Sequence, residues 1–259
     1  MTNHTATLVF LPGIGADHRL FKYQTAVFPN SYAADWIDPL PGESLEQYAV
    51  RFAEAIRGEL GKPGPVIVCG LSLGGMMAPY VARELDAVGC VLLCSIRSPE
   101  EFPRLGYVDW LLMRLCPPLR LTRLFCLRTG ARFFLCFPWL VRCFVHPPIV
   151  QAFVETPFFR FAGLARMMFD WAFRRRLPEE TTVFDKPTLH VHGTNDWLLP
   201  IRRTTPDIRI DGGGHLLPLT HPEQINAILE RFLERHGVLY SSPPPSPLPS
   251  PVKISEPLS

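Results

Sequence analysis

Long apolar runs, an excess of one charge and paired-cysteine motifs are all missing from this sequence. The longest apolar run, Phe133 to Val141, is too short to span a bilayer and contains a proline. The 26 basic and 24 acidic residues nearly cancel, which excludes a nucleic-acid binder held by bulk charge. The seven cysteines are odd in number and lack CxxC spacing. This favours buried thiols in a reducing compartment over disulfides or a zinc site.

A basic leader followed by a long apolar stretch is also missing, because residues 1–13 reach Pro-Gly after a few apolar positions. We therefore expect no secretory signal, no transmembrane segment and a cytoplasmic location. Hydrophobic residues are plentiful, at 47% of the chain, and aromatic residues make up 11%. That composition is enough for a substantial core, so we expect a soluble globular protein with no nucleic-acid partner.

Lysine is absent from residues 97–184, although this segment holds 13 of the 22 arginines and 13 of the 18 phenylalanines. With 7 acidic residues, its local charge is +6, and the rest of the chain carries −4. Farther along, seven prolines fall between residues 243 and 257. A segment of this kind can bury almost nothing, so residues 239–259 are predicted to be a disordered or polyproline-like tail. A solvated tail is favoured, with a ligand for a proline-binding module as the alternative.

Outside residues 97–184, the pattern alternates between short buried strands and amphipathic helices. Ser44 has the position of an N-cap, and Thr220 to Glu223 has the spacing of a capping box. Pro79 falls inside a predicted helix, where it should remove a hydrogen bond and introduce a kink. The alternation predicts an α/β fold, with a mostly parallel sheet flanked by helices on both faces. Strands are predicted over 7–11, 32–37, 65–69, 88–94, 188–192 and 207–210, and helices over 45–60, 73–85 and 222–235.

A G-x-S-x-G sequence, Gly70 to Gly74, lies directly between a predicted strand and a predicted helix. A serine on such a sharp turn projects its hydroxyl group above the sheet, and the flanking glycines admit the crowded backbone. The helix N-terminus behind it offers N–H groups to developing negative charge. This context favours Ser72 as a nucleophile, with an N-capping serine in a glycine-rich turn as the alternative.

A serine nucleophile needs a base, and the base needs an orienting acid. Asp196 follows the predicted strand 188–192, and His215 lies in a glycine-rich loop after the strand 207–210. Both follow the carboxyl ends of predicted parallel strands, where open α/β sheets gather their functional residues. Asp211 is the rival acid, but it is close to His215 in sequence and precedes a glycine turn. His192 is expected to support the acid loop.

These motifs together resemble those of the α/β-hydrolase superfamily, and the resemblance covers about residues 6–236. His192-Gly193, Asp196 and Pro200 match the family segment H-G-x-x-D-x-x-x-P, and Gly214-His215 matches the family's base loop. Residues 38–44 resemble a family turn as well, with altered spacing. The resemblance implies a triad of Ser72, Asp196 and His215. It also implies an oxyanion hole formed by the backbone N–H groups of Ile14 and Leu73.

Members of this superfamily commonly carry a helical cap after the strand that here ends near residue 94, and residues 97–184 occupy that place. The implied domains are a hydrolase core over 1–96 and 185–238 and a cap over 97–184. The aromatic residues of the cap favour an apolar acyl-binding lining, although many of them will pack the cap onto the core. Its arginines have three interpretations: a solvated face, an anionic acyl carrier, or contact with anionic lipid.

We therefore predict a serine hydrolase that cleaves a carboxylic ester with an apolar acyl part. Its size and cap position are similar to those of the pimeloyl-acyl-carrier-protein methyl ester esterases. The alternatives are a thioesterase acting on an acyl carrier or acyl-CoA, and a non-catalytic binding protein of the same fold. No metal, nucleotide or redox cofactor is implied, because the sequence has no P-loop and no G-x-G-x-x-G after the first strand. The oligomeric state is left open.

Overall fold

Six parallel strands form one sheet in the computed structural model, which describes residues 6–61, 64–103, 151–153, 155–173 and 184–237. The order across the sheet is β2-β1-β3-β4-β5-β6, and each neighbouring pair is parallel. Parallel pairing aligns the carboxyl ends of all six strands at one edge of the sheet. The strands are β1 (Thr7–Leu11), β2 (Ser31–Ala33), β3 (Val66–Leu71), β4 (Gly89–Leu93), β5 (Thr188–Gly193) and β6 (Ile208–Ile210).

Helices cover both faces of the sheet, which explains why β1, β3 and β4 are continuous apolar runs. One buried cluster joins Val9 and Val68 to α2, α3 and α4, and a second joins Leu8 and Ile67 to α6. Alternate residues of each strand therefore enter opposite cores. The described helices are α1 (Lys22–Val27), α2 (Leu45–Leu60), α3 (Leu73–Glu84), α4 (Phe158–Phe173), α5 (Leu217–Thr220) and α6 (Pro222–Arg235). Short 3₁₀ turns cover His18–Phe21, Pro99–Glu101 and Ile201–Arg203.

The predicted architecture is confirmed, and most predicted boundaries agree within two residues. The β1 and α2 boundaries match the prediction, and Ser44 caps α2 in a full capping box with Gln47. The second strand is shorter than predicted, because it covers Ser31–Ala33 and not 32–37. Helix α3 continues past Pro79 to Glu84, so the missing amide does not end the helix.

The predicted capping box at Thr220 is wrong. Thr220 is the last residue of α5, and the N-cap of α6 is His221, which makes no side-chain capping bond. The Thr220 hydroxyl donates to the carbonyl of Leu216 inside its own helix. A threonine whose backbone is already helical cannot take the extended conformation that an N-cap needs, so the spacing alone is misleading here.

Part of the predicted cap, including α4, lies within the described residues. Helix α4 packs against the core through Trp171, whose indole nitrogen donates to the Tyr80 hydroxyl at 3.0 Å. The remaining cap predictions, over 104–150 and 174–183, and the predicted tail lie outside the described residues. Cys69, Cys90 and Cys94 are buried free thiols. None of the described helices combines the length and apolar character needed to cross a bilayer.

Candidate active site

Ser72 lies on a strained turn between β3 and α3. Its backbone has φ 55° and ψ −118°, a conformation that L-residues rarely adopt outside functional sites. Glycine is required on both sides of this turn. A Cβ atom on Gly70 would lie 2.1 Å from the carbonyl oxygen of Gly74, and one on Gly74 would lie 2.3 Å from that of Leu11. Ser72 directly follows β3 and so lies at the carboxyl edge of the sheet. It is only 8% exposed, so the site is protected from solvent.

The loop after β1 turns back directly beside Ser72. A Cβ atom on Gly13 would lie 3.4 Å from Cβ of Ser72, and the amide of Ala16 donates to the Gly13 carbonyl at 3.1 Å. Gly15 has φ +72°, as the third position of a type II turn requires. The buried indole of Trp36 also donates to the Gly13 carbonyl, at 3.1 Å. Because C=O and N–H of one peptide point in opposite directions, this bond fixes the direction of the N–H of residue 14.

Asp196 and His215 form a short hydrogen bond although they follow different strands. Nδ1 of His215 lies 2.7 Å from Oδ2 of Asp196, and the Asp196 side chain has no exposed surface. An ionised carboxylate only accepts, so Nδ1 carries the proton and Nε2 is left as the basic nitrogen. The other oxygen, Oδ1, accepts from the amides of Leu198 and Leu199 at 2.9 and 3.0 Å.

The end of β4 bridges the nucleophile turn and the histidine loop. The carbonyl of Leu93 accepts from the amide of Ser72 at 3.0 Å, and the Ser95 hydroxyl donates to the Ser72 carbonyl at 2.7 Å. On its other side, the Cys94 thiol donates to the carbonyl of Gly214, next to His215, at 3.4 Å. The three consecutive residues Leu93, Cys94 and Ser95, at the end of β4, therefore set the distance between the turn of Ser72 and the loop of His215.

Opposing effects act on the Asp196 carboxyl group. Burial by itself raises its pKa, but the hydrogen bond from His215, the charge of that histidine and the amide of Leu199 bring the pKa below its ordinary value. Asp196 is therefore ionised at neutral pH in spite of its burial. Burial, reinforced by the nearby Asp196 charge, raises the pKa of the Cys94 thiol, which keeps it protonated and a weak nucleophile.

The sequence profile described as "Alpha/beta hydrolase family" matches residues 8–228, which is most of the chain. The chain belongs to the alpha/beta hydrolase family. The match extends from β1 into α6. It therefore includes residues of every strand of the sheet and all of the candidate active-site residues. A comparison with curated protein sequences finds no significant match.

Solved structures share the fold of this alpha/beta hydrolase at low sequence identity. A thermophilic esterase from Thermogutta terrifontis is 20% identical, with a TM-score of 0.60, and the match covers 91% of this chain and 92% of the esterase. MenH from S. aureus is 18% identical, with a TM-score of 0.60 and coverage of 92% and 96%. The N-acyl homoserine lactonase AidH, complexed with N-hexanoyl homoserine, is 15% identical, with a TM-score of 0.62 and coverage of 92% for both chains.

In this alpha/beta hydrolase, each of the five sequence-predicted residues lies either at or beside the turn of Ser72 or in the acid–base pair. Ser72 and Leu73 are consecutive at the start of α3, and Asp196 and His215 are hydrogen-bonded. Ile14 is in the turn beside Ser72. Among the described contacts, Ser72 and His215 make no direct hydrogen bond. Such bonds often tighten only when substrate is bound. The rival acid, Asp211, is exposed and is not the partner of His215.

Trp36, Cys94 and Ser95 contribute to this site but were not identified from the sequence. Each one donates a hydrogen bond to a backbone carbonyl. A backbone carbonyl exists at every position, so such a contact leaves no pattern in the sequence that could reveal it. The conformation of Cys94 is equally hidden, since its φ of 41° is unusual for a residue other than glycine.

Two phenylalanines from residues 151–173 of the alpha/beta hydrolase cover the loop beside Ser72. A Cβ atom on Gly15 would lie 2.6 Å from the Phe153 ring and 3.3 Å from the Phe161 ring. The two rings meet edge to face, with centroids 5.1 Å apart. The left-handed turn and these rings together require glycine at position 15, and they place an aromatic wall next to the loop.

Asp17, His18 and Asp35 form the one group of potential metal ligands among the described residues, with ligand atoms within 4.8 Å of one another. Arg19 already pairs with Asp17, and His18 Nδ1 lies 2.9 Å from Asp35. Asp35 and His18 are exposed. Since both carboxylates already have basic partners, the arrangement is explained by these ion pairs, and it gives no support for a metal site.

Proposed function

We propose that this protein is a serine hydrolase that cleaves a carboxylic ester with an apolar acyl part. The observation that carries the proposal is the 2.7 Å contact between His215 and a fully buried Asp196, at the edge of the sheet where Ser72 lies. A buried carboxylate that holds an imidazole in one tautomer is the partner a serine nucleophile requires. In this proposal, residues 97–184 act as a cap and residues 1–96 and 185–238 form the catalytic core.

Ser72 attacks the acyl carbonyl carbon while Nε2 of His215 takes the hydroxyl proton. The tetrahedral intermediate collapses as His215 returns this proton to the leaving alkoxide, which leaves as an alcohol, and an acyl-enzyme remains. Water then attacks the acyl-enzyme with His215 as base, and the carboxylic acid and free Ser72 are released. Asp196 stabilises the imidazolium that forms in each half of the cycle.

The amides of Ile14 and Leu73 are suited to bind the oxyanion of these intermediates. Leu73 is the first residue of α3, where N–H groups have no partner inside the helix. The bond between Trp36 and the Gly13 carbonyl holds the other amide in a fixed direction. Donors that are fixed before the reaction lose no free energy to reorganisation when charge develops.

An apolar acyl group is supported by the aromatic wall formed by Phe153 and Phe161 over Gly15. A carrier-bound thioester gains no support from the two arginines of α4, because both already have partners outside residues 97–184. Arg160 lies 2.6 Å from Asp38, and Arg166 donates to the backbone carbonyl of Glu43 at 2.8 Å. The N-hexanoyl homoserine bound to the lactonase AidH agrees with an apolar acyl substrate for this fold.

The catalytic proposal is tested by labelling the protein with a fluorophosphonate probe. We expect the native protein to be labelled and Ser72→Ala not to be labelled. Ser98→Ala is a matched control, because Ser98 makes no side-chain capping bond and lies outside the site. An unlabelled native protein, or equal labelling of Ser72→Ala, would support the non-catalytic alternative.

The acyl specificity is tested with p-nitrophenyl acetate, butyrate and octanoate and with the matching acyl-CoA thioesters. We expect kcat/KM to rise with acyl length and to be higher for the oxygen esters. Phe153→Ala should change this length dependence, whereas Phe159→Ala should not, because Phe159 is 57% exposed. A preference for acetate over octanoate would contradict the apolar acyl group. Faster thioester cleavage would identify a thioesterase.

A further inference from the structure

Two histidines of β5 are completely buried, and neither has a role in the proposed reaction. His190 and His192 are two residues apart, so their side chains lie on the same face of the strand. Nε2 of His190 lies 3.2 Å from Nδ1 of His192. Buried imidazoles need hydrogen-bond partners on both nitrogens, and these partners determine where each proton resides.

His192 bonds to the turn that carries Asp196. Its Nε2 lies 2.7 Å from the carbonyl oxygen of Leu199, and it is 3.4 Å from Oδ2 of Asp196. The amide of the same Leu199 donates to Oδ1 of Asp196. Leu199 is thus held by the histidine through its carbonyl and by the aspartate through its amide, which closes the turn around the carboxyl group.

The tautomer of His192 follows from these partners. A carbonyl oxygen can only accept, so Nε2 of a neutral His192 must carry the proton and Nδ1 must accept. Nε2 of His190 lies beside that Nδ1, and Nδ1 of His190 lies 3.5 Å from the Thr204 hydroxyl, which itself donates to Glu101. The backbone of His190 is fixed by Asp207, whose Oδ2 accepts from the amide of His190 at 2.7 Å.

We infer that His192 is a positioning residue for Asp196, which it holds through the carbonyl of Leu199. The inference rests on the proposed function, because it assigns His192 to the catalytic acid. If the clamp on Leu199 is lost, the carboxyl group can turn away from His215. Nucleophile activation then suffers, while the surface that binds the substrate is unchanged, so kcat falls more than KM rises.

The charged groups around the pair leave it neutral near pH 7. Burial lowers the pKa of His190 to about 4, assisted by His192 and Arg97 and opposed by Asp207. Burial also lowers the pKa of His192, against the opposing effects of the Leu199 carbonyl, Asp196 and Glu101 and with the positive charge of His215 assisting. The clamp described here therefore belongs to the neutral pair.

His192→Gln and His192→Asn test the positioning role with one matched pair of amides. The nitrogen of glutamine can occupy the place of Nε2, whereas that of asparagine reaches only the place of Nδ1. We expect His192→Gln to keep kcat within about 3-fold, and His192→Asn to lower it about 10- to 100-fold with little change in KM. The acidic limb of the kcat/KM profile should move to lower pH in His192→Asn, because a displaced Asp196 stabilises the His215 imidazolium less.

The low-field proton NMR signal of His215 Nδ1–H gives a second readout that needs no turnover. We expect the signal in the native protein and in His192→Gln, and a shifted or lost signal in His192→Asn. Equal kcat, pH profile and NMR signal in the two folded variants would overturn the inference, even if both melt at lower temperature. If His192→Asn does not fold, His192→Leu is used in its place. Failure of the proposed function is distinguishable, since it removes fluorophosphonate labelling and leaves the NMR comparison intact.

Discussion

Within the site, single residues keep their protonation states because burial and hydrogen bonding act on each one differently. Asp196 and His190 are both buried, yet the first remains charged and the second remains neutral. Asp196 accepts from two amides and from His215, which replaces the hydration it loses. Among the described contacts, the ring of His190 meets another imidazole and the Thr204 hydroxyl but no carboxylate, so burial dominates its pKa.

The buried His190 should make the protein less stable in mild acid. Its folded pKa of about 4 is below the ordinary value of 6.5, so the unfolded chain takes up a proton first as pH falls. The free energy of unfolding should therefore drop between pH 6.5 and pH 4, by about 3 kcal/mol from this group. Urea unfolding at a series of pH values measures this drop. Asp196, with its lowered pKa, contributes only to the loss at still lower pH.

His190→Gln is expected to flatten the stability profile across that window, and His221→Gln is the control. His221 is partly exposed at the start of α6, so its replacement should leave the slope unchanged. Equal slopes for the native protein and His190→Gln would show that His190 is not the responsible group.

At the scale of secondary-structure elements, the same capping-box spacing has two different outcomes. Ser44 has an extended backbone, with φ −81° and ψ 165°, and its hydroxyl accepts from the amide of Gln47 at 3.2 Å. Thr220 has no such freedom, because it completes α5. Pro222 is the first residue of α6, and because proline has no backbone N–H group, this position needs no capping acceptor. Whether the capping box forms depends on the backbone before the capping residue: Ser44 follows an irregular segment, whereas Thr220 ends a helix.

Replacing each candidate cap by alanine should distinguish the two sites. Ser44→Ala should lower the free energy of unfolding by about 1 kcal/mol, since an amide of α2 loses its acceptor. Thr220→Ala should change it by less than about 0.5 kcal/mol, because the Thr220 hydroxyl donates to a carbonyl that is already bonded within the helix, and its other contact is the ring of the neighbouring His221. Chemical denaturation of both variants provides the comparison. A larger loss for Thr220→Ala would mean that the capping box at α6 forms after all.

On the scale of the whole molecule, α4 is held to the core by apolar contacts and by ion pairs of its arginines. Phe102, Phe169 and Phe173 form an edge-to-face and stacked cluster, and Trp171 is 5% exposed. The Arg160–Asp38 pair is much more exposed, at 29% and 54%. Exposed ion pairs contribute about 0–1 kcal/mol, whereas a buried tryptophan side chain contributes about 3–5 kcal/mol. The apolar contacts should therefore dominate.

Hydrogen exchange of the α4 amides should show this difference. Trp171→Ala is expected to weaken the docking of α4 by about 3 kcal/mol, which corresponds to an increase in exchange of about 100-fold. Arg160→Gln, the comparison variant, should increase exchange by less than about 5-fold, and added salt should produce a similarly small change in the native protein. If Arg160→Gln matched Trp171→Ala, the ion pairs would be the main attachment.

Much of this protein can be read from its sequence because local signals determine the corresponding features. Apolar runs of strand length specify the buried strands, and the glycines around Ser72 are demanded by a turn that no other residue fits. The acid and the base could also be proposed from short motifs, since each one directly follows a strand. The alternation of strands and helices then determines a parallel sheet, whose strand ends collect these residues at one edge.

Only the tertiary structure decides the contacts between residues that are distant in the chain. Trp36 reaches the Gly13 carbonyl, Ser95 reaches that of Ser72, and the His192 clamp closes on Leu199. Each of these contacts ends on a backbone carbonyl, which has no residue identity and so leaves no trace in the sequence. The sequence determines which groups can perform the chemistry, and packing decides which neighbours hold those groups in place.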